Sequence, residues 1–317
     1  MNILITGAAG FLGFSISKSL LIKNHKIYGV DNLNDYYSSD YKNLRIKELK
    51  KLRHFKFFKV DISDFKKFND VLKEIKIDMV IHLAAQAGVR YSVLKPQKYI
   101  SSNITGFINM MEISKQKKIK KIFYASSSSV YGENSNYPWK ETFKIKPISL
   151  YAKTKKFNEQ LANFYSKKYK IQIVGLRFFT IFGEWGRPDM FLFKLFKSII
   201  NKKTLEINNY GKHLRDFTYI HDVTKIMLFL INKKFHQHQI INICSSEPIS
   251  LLKILSFFKG YSIKLKKIKR NKLDVMNTHG DNKRLKKLLK KIKFTDKKKA
   301  ILNTFDWYKK NRINKFI

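Results

Sequence analysis

Three glycines that follow a short apolar segment constrain the fold of this chain more than any other feature. Asn2–Thr6 has the pattern of a buried strand and Phe11–Leu21 that of a helix, with Gly7, Gly10 and Gly13 at the junction. The first glycine of such a turn permits a tight bend, and the second lets the backbone approach a pyrophosphate at the helix N-terminus. The third lets the helix pack closely on the strand. The spacing therefore predicts a dinucleotide-binding turn.

An acidic residue supports this prediction and narrows the ligand. Asp31 ends the second predicted strand, 18 residues after Gly13. Its carboxylate can accept hydrogen bonds from the adenosine ribose hydroxyls and would repel a 2′-phosphate, so NAD is favoured over NADP. Asp61 ends the third strand, near the expected adenine, but a helix-capping role explains that residue about as well.

Strand-like and helix-like segments alternate through the first half of the chain. The predicted strands are Asn2–Thr6, Lys26–Val30, Phe55–Val60, Met79–Leu83, Ile122–Ala125 and Gln172–Arg177. This alternation predicts an α/β fold with a Rossmann-like, doubly wound parallel sheet.

The rest of the chain mixes both element types and predicts a smaller mixed α/β lobe. Helices are predicted at 189–200, 222–231, 251–258 and 296–310, and short strands at 205–208 and 239–243. We predict an NAD-binding domain over 1–178, with contributions from about 210–245, and a substrate lobe formed mainly by 179–317.

The chain carries 65 Lys and Arg against 23 Asp and Glu, a net charge of +42. Nucleic acid or a membrane surface would be the first partner to consider for such a charge. However, the charge is spread along the chain, is mostly lysine and accompanies no nucleic-acid-binding motif. The densest runs, Lys264–Lys272 and Lys283–Lys293, therefore predict a solvated surface, with no dedicated nucleic-acid partner.

Two further features bear on the compartment. Cys244 is the only cysteine, which excludes a disulfide within one chain and favours a reducing environment. No uninterrupted apolar stretch reaches the ~18–20 residues that a membrane span needs. We therefore predict a cytoplasmic protein without a membrane partner, and no motif predicts a metal site.

A Tyr-x-x-x-Lys pair provides the candidate chemistry. Tyr151 and Lys155 would lie on one face of a helix. A tyrosine has a usual pKa of about 10, and a neighbouring cation such as the Lys155 ammonium favours its phenolate form. The serine run within 125–132 ends the fifth strand, at the sheet edge where ligands bind. Tyr151 could then take a proton from a sugar hydroxyl.

These motifs together resemble the extended short-chain dehydrogenase/reductase, or NAD-dependent epimerase/dehydratase, family over residues 1 to about 310. The strings that carry the resemblance are Thr6–Gly13, His82–Gln86, Ser126–Gly132 and Tyr151–Lys155. Within that family, longer strings are similar to those of the UDP-glucuronate 4-epimerases. They are Asp31–Tyr37, His82–Ser92, Tyr124–Gly132, Leu176–Thr180, Trp185–Met190 and Arg215–Ile220.

The resemblance implies specific residue roles. Tyr151 would be the base, Lys155 would lower its pKa and hold the nicotinamide ribose, and Ser127 would assist. The implied NAD-binding residues are Gly7, Gly10, Phe11, Leu12, Gly13, Asp31, Asn32, Asp61, Ile62, Leu83, Ala84, Ala85, Gln86, Tyr151 and Lys155. The implied substrate-binding residues are Arg90, Ser127, Ser128, Ser129, Thr180, Arg187, Asn209, Tyr210, Arg215 and Asp216.

The resemblance further implies reversible C4 epimerisation of UDP-glucuronate to UDP-galacturonate, and a homodimer formed through the Tyr151 helix and the helix after Pro96. The alternatives are a 4-epimerase of UDP-glucose or UDP-N-acetylglucosamine, and a UDP-glucuronate decarboxylase. A further alternative is a binding protein that keeps the fold without the chemistry. Such a protein would not need both Tyr151 and Lys155, so the presence of both residues favours an enzyme. The chain departs from the family pattern at Ser15, at Leu273 and in a shortened stretch over 251–272.

Overall fold

The computed structural model describes residues 1–271, 273–290 and 292–316. Lys272 and Lys291, which belong to the two lysine-rich runs, and Ile317, the last residue of the predicted lobe, lie outside the described residues.

The strands and helices follow in chain order. The strands are β1 (Asn2–Thr6), β2 (Lys26–Asp31), β3 (Phe55–Lys59), β4 (Met79–His82), β5 (Lys121–Ser127), β6 (Gln172–Phe178), β7 (Thr180–Phe182), β8 (Leu205–Asn208), β9 (Leu214–Tyr219), β10 (Gln239–Ile243), β11 (Pro248–Ser250) and β12 (Leu265–Ile268). The helices are α1 (Phe11–Ile22), α2 (Ser39–Lys50), α3 (Phe65–Leu72), α4 (Tyr91–Leu94), α5 (Pro96–Tyr99), α6 (Gly106–Gln116), α7 (Leu150–Tyr169), α8 (Phe191–Asn201), α9 (Ile220–Leu230), α10 (Leu251–Leu255), α11 (Lys283–Leu289) and α12 (Lys297–Lys310).

The main sheet confirms the predicted doubly wound fold. Over the described residues its seven strands run in the order β10-β6-β5-β4-β1-β2-β3. All neighbouring strands pair in parallel. The strand order reverses between β1 and β4, and ligands of such sheets bind at the carboxyl ends of the strands beside this point.

Buried side chains cover both faces of this sheet. One layer packs α1, α2 and α9 against it through Phe14, Ile46 and Ile226. The other layer packs α3 and α7 through Phe68 and Ala162. Because strands buried on both faces need apolar residues at successive positions, β1, β4 and β6 could be recognised from sequence as continuous apolar runs.

The smaller lobe contains strands that the sequence pattern did not predict. β9 pairs with β7 in parallel and with β11 in antiparallel orientation, and β12 pairs with β8. β9 contains the charged residues Arg215 and Asp216, which obscure its alternation of polar and apolar side chains. The helix predicted over 251–258 ends at Leu255 and continues as one 3₁₀ turn, Ser256–Phe258.

Adding a methyl group at Gly13 is expected to damage both the fold and NAD binding. A Cβ there would lie 1.9 Å from the carbonyl oxygen of Gly7 and 2.9 Å from Cα of Ala8, so backbone would have to move. We expect Gly13→Ala to lower Tm by several degrees and to remove most of the stabilisation that NAD gives, as measured by thermal unfolding with and without NAD. Gly260→Ala is the matched control, since its Cβ would have nothing within 4 Å. Equal behaviour of the two variants would contradict the prediction.

Candidate functional site

The N-terminus of α1 opens onto a cavity at the carboxyl ends of β1 and β4. Gly10 is the N-cap, with φ −71° and ψ 167°; no side chain caps the helix and no acidic residue lies in its first turn. The free N–H groups and the helix dipole therefore favour an anionic ligand. Gly7 has φ +73°, and a Cβ on it would lie 2.7 Å from the Ala84 nitrogen. These features fit a dinucleotide pyrophosphate.

Most of the predicted NAD-binding residues line this cavity. They are Gly7, Gly10, Phe11, Leu12, Gly13, Asp31, Asn32, Ile62, Leu83, Ala84, Ala85, Gln86, Tyr151 and Lys155.

Asp31 connects the glycine turn to the loop after β2. Its carboxylate accepts hydrogen bonds from the N–H of Ala9 at 3.0 Å and of Leu33 at 2.8 Å. The nearby Lys42 ammonium donates to the backbone oxygen and side-chain oxygen of Asn34 at 2.5 and 2.7 Å. Asp31 is thus held by backbone while it faces the cavity.

Asp61 is not among the residues that line the cavity. Its carboxylate accepts hydrogen bonds from the backbone and hydroxyl of Ser63 at 2.8 and 2.7 Å, and from the amide of Asn32 at 2.7 Å. These bonds stabilise the turn after β3, and the adenine contact of Asp61 stays a prediction. Asp64 is the residue that caps α3, accepting from the N–H of Lys67 at 3.1 Å.

The three candidate catalytic residues lie together where the cofactor cavity meets a second cavity. Tyr151 and Lys155 are one turn apart on α7, which Ser149 caps by accepting from the N–H of Ala152. The Lys155 ammonium donates to the carbonyl oxygen of Ala125 at 2.8 Å and lies 5.9 Å from the centre of the Tyr151 ring. The Ser127 side chain lies near enough to the Tyr151 phenol to lower its pKa.

The electrostatics of this group are dominated by burial. Burial raises the pKa of Tyr151, while the nearby Ser127 side chain and the charge of Arg187 lower it. Burial lowers the pKa of Lys155 to about 8, and the carboxylate of Glu159 opposes that shift. In the cofactor-free protein, the chain's own groups therefore leave Tyr151 protonated at neutral pH.

A buried ion pair behind this group was missed in the sequence. Arg177 donates to both carboxylate oxygens of Glu159, at 2.9 and 2.8 Å, and Ser126 donates to Glu159 at 2.6 Å. Glu159 follows Lys155 by four residues, so Tyr151, Lys155 and Glu159 form one stripe on α7. The four-residue spacing between Lys155 and Glu159 is the sequence feature that indicates this arrangement.

The second cavity extends from Tyr151 toward the smaller lobe. The predicted substrate-binding residues that line it are Arg90, Ser127, Ser128, Ser129, Thr180, Arg187 and Arg215. Asn209 and Tyr210 are not among its lining residues. Asn209 lies next to the cavity residue Asn208 and places its amide 3.0 Å from Sδ of Met276, and Tyr210 is 45% exposed.

Asp216, a predicted substrate-binding residue, is not among the residues that line the second cavity. Its side chain is fully buried and accepts hydrogen bonds from Ser245, Ser246 and Gly280, so it faces the connection after β10 rather than the cavity. Its neighbour on β9, Arg215, points to the opposite side and lines the cavity. Asp216 therefore holds β9 in place.

The two arginines expected at a substrate carboxylate both have internal carboxylate partners. Arg187 donates to Asp189 at 2.9 and 2.5 Å, and the Tyr36 hydroxyl donates to the same carboxylate at 3.0 Å. Arg90 donates to Asp274 at 3.3 and 2.5 Å. Arg187 lines both cavities, and its charge lowers the pKa of Tyr151.

Arg45 joins the glycine turn to the loop that carries Arg187. This fully buried side chain donates to the carbonyl oxygen of Ala9 at 2.9 Å and to those of Trp185 and Gly186. The ring of Tyr41 stacks on Trp185, with centroids 5.8 Å apart. The Arg187 loop is thus held by the cofactor-binding half of the protein.

No helix within the described ranges is both long and apolar enough to cross a membrane. The part of the chain that the structure describes also contains no group of three or more His, Cys, Asp or Glu residues that could hold a metal ion.

Comparison with known proteins identifies the class. The profile of the NAD dependent epimerase/dehydratase family matches residues 3–244. The chain belongs to this family, which confirms the predicted family, enzyme class and NAD cofactor.

Individual relatives narrow the resemblance. The UDP-glucuronate 4-epimerase of Thermodesulfobacterium geofontis is 38% identical over 313 residues, covering 97% of this chain and 96% of the relative. The crystal structure of the Bacillus cereus UDP-glucuronic acid 4-epimerase with UDP-glucuronic acid and NAD superposes with a TM-score of 0.91 at 32% identity, covering 98% of this chain and 100% of that one. The structure of a Thermotoga maritima UDP-glucose 4-epimerase superposes with a TM-score of 0.88 at 25% identity. The match covers 98% of this chain and 100% of that one.

Proposed function

We propose that this chain is a UDP-glucuronate 4-epimerase that interconverts UDP-glucuronate and UDP-galacturonate through a 4-keto intermediate. The observation that carries the proposal is the position of Tyr151, Lys155 and Ser127, where the NAD cavity meets a second cavity that contains Arg187. Relatives named as UDP-glucuronate 4-epimerases support the choice of substrate. Residues 1–178, with α9 and β10, would bind NAD, and the remainder would form most of the substrate lobe.

Tyr151 is the proposed base. Bound NAD would accept hydride from C4 of the sugar and return it to the other face. Tyr151 would take the C4 hydroxyl proton on its phenolic oxygen and return it later, while Ser127 holds the same hydroxyl. The Lys155 ammonium would favour the phenolate, although burial opposes it in the cofactor-free protein.

The substrate carboxylate makes a second demand on the site. A 4-keto-uronic acid is a β-keto acid, which loses carbon dioxide when the C5–C6 bond aligns with the carbonyl π system. Charge-assisted hydrogen bonds from Arg187, with hydroxyls from the serine run, would hold the carboxylate out of that alignment. Arg90 is the second candidate for this role.

NMR of nucleotide sugars tests the proposal directly. Purified protein with UDP-glucuronate and catalytic NAD should form UDP-galacturonate reversibly and without net NADH. A UDP-pentose as the main product would make it a decarboxylase. Turnover of UDP-glucose alone would make it a neutral-sugar epimerase, the alternative that the internal Arg187–Asp189 pair favours, since a neutral sugar could leave this pair intact.

Glu159→Gln should shift the pH dependence of the reaction. The Lys155 cation is lost as pH rises through its pKa of about 8, and removing the Glu159 charge lowers that pKa further. The fall in kcat at alkaline pH should therefore begin at lower pH than in the wild type. Leaving Arg177 unpaired should also cost about 3–5 kcal/mol of stability. A kcat profile across pH and a thermal unfolding curve measure both effects.

Glu112→Gln is the control for this shift. Glu112 pairs with Lys115 and accepts a hydrogen bond from Tyr165, on α6 and the far part of α7, away from Lys155. An alkaline limb that coincides in Glu159→Gln and the wild type would show that the Glu159 charge does not act on Lys155.

A further inference from the structure

His213 lies in the wall of the substrate cavity with a ring nitrogen that makes no hydrogen bond. Its side chain is only 3% exposed. It lines the cavity, and its Nε2 has no partner among the described residues. Because a buried polar atom without a partner destabilises the folded state, such an atom in a cavity wall indicates a ligand group that completes it.

Arg215, two residues further along the chain, indicates the charge of that ligand group. Arg215 donates to the carbonyl oxygens of Leu214, Val275 and Met276, at 2.9, 2.8 and 2.8 Å. These bonds orient the guanidinium, and no carboxylate of the described residues forms an ion pair with it. Burial lowers the pKa of Arg215 to about 10, which still leaves it charged at neutral pH.

The other charges that act on His213 are also mostly positive. The charges of Arg215, Arg270 and Arg90 lower the pKa of His213. Asp274 is the one among these charged groups that raises this pKa. Burial, followed by the Arg215 charge, lowers the pKa of His213 to about 4. Lys194 and Glu206 stand further along the cavity wall. The unliganded site therefore holds a neutral imidazole in a positive field, which an anion would stabilise.

We propose that His213 is a specificity-determining residue that binds the diphosphate of the nucleotide-sugar substrate, with Nε2–H donating to a phosphate oxygen beside Arg215. The inference rests on the proposed function, because it places a UDP-sugar in this cavity. Phosphate oxygens only accept hydrogen bonds, so Nε2 must carry the proton. The negative diphosphate would also raise the pKa of His213, so binding would take up part of a proton below neutral pH.

Calorimetric titration of the NAD-loaded enzyme at pH 6 tests this inference. UDP and uridine are each titrated in two buffers of different ionisation enthalpy, which gives the affinity and the number of protons taken up. His213→Met removes both the donor and the titrating group, and should weaken UDP binding by roughly tenfold, the effect of about one hydrogen bond to a charged group. Uridine binding should not change.

His213→Gln separates the hydrogen bond from the titration. Its amide N–H can reach the position of Nε2–H but does not bind a proton, so this variant should keep most of the UDP affinity. It should take up fewer protons on binding UDP than the wild type does. The proton uptake that remains in this variant comes from the phosphate of UDP itself. His236→Gln, an exposed histidine outside the cavity, should match the wild type in both measurements.

Each other outcome overturns the inference in an identifiable way. UDP affinity and proton uptake in His213→Met equal to those of the wild type would overturn the histidine assignment alone. An equal loss for UDP and uridine would overturn the diphosphate contact. A wild-type enzyme that binds neither UDP nor uridine would overturn the proposed function together with this inference.

Discussion

Replacing Tyr151 by Phe is expected to lower kcat for epimerisation by about a thousandfold and to leave binding of NAD and of the nucleotide sugar almost unchanged. General acid–base groups contribute typically 10²–10⁴-fold. The ring would keep its packing against Tyr99, 6.2 Å away, and its place beside Lys155. Only the phenolic oxygen, which is the proposed proton acceptor, would be lost. Rates come from NMR, and binding comes from calorimetry.

Tyr99→Phe is the control for this experiment. Tyr99 is a fully buried neighbour whose hydroxyl donates to the carbonyl oxygen of Ala87 at 2.7 Å, so its loss removes a structural hydrogen bond and leaves the proposed base in place. We expect a change of only a few fold in kcat. Comparable losses in the two variants would assign the effect of Tyr151 to packing and would contradict its role as base.

Replacing Arg187 by Ala is expected to weaken UDP-glucuronate binding by about tenfold to a hundredfold while UDP-glucose binding changes little. A hydrogen bond to a charged group accounts for a loss of that size. The same change should raise the yield of a UDP-pentose, because the carboxylate would be free to align for decarboxylation. NMR after complete turnover measures the by-product. Absence of any pentose, with unchanged preference between the two sugars, would count against the role of Arg187.

Two companion variants separate Arg187 from its surroundings. Asp189→Asn removes the internal carboxylate that now accepts from Arg187 and Tyr36, so it should maintain or tighten UDP-glucuronate binding. Arg90→Ala removes a half-exposed guanidinium that pairs with Asp274. A pentose by-product from Arg90→Ala, and none from Arg187→Ala, would exchange the roles of the two arginines.

The sequence predicts those parts of the fold that depend on local patterns. β8 and β10 begin and end at the predicted residues, and the glycine turn lies where its spacing places it. Parallel strands also bring their carboxyl ends to one edge, so Tyr151 and the serines after β5 could be expected near the turn. For these elements, neighbours in sequence supply most of the determining contacts.

The fate of individual carboxylates could not be predicted in this way. Asp61 follows β3 and Asp216 lies in β9, yet their oxygens accept hydrogen bonds from Asn32 and from Gly280, which are far away in sequence. The role of Glu159 depends on its ion pair with Arg177 on β6, which neighbouring residues in sequence do not indicate. Whether a polar side chain faces a ligand or a backbone amide is decided by tertiary partners, which a single sequence does not reveal.

The late position of β10 in the chain has a consequence for biosynthesis. β10 completes the sheet by pairing with β6, from Gln239 opposite Val174 to Ile243 opposite Phe178, yet about 60 residues separate the ends of the two strands. At ribosomal speeds of 5–20 residues per second, β6 waits roughly 3–12 seconds for its partner. During this interval its unpaired, apolar edge can pair with other nascent chains. The yield of correctly folded enzyme should therefore depend on how fast the ribosome moves through α8, β9 and α9.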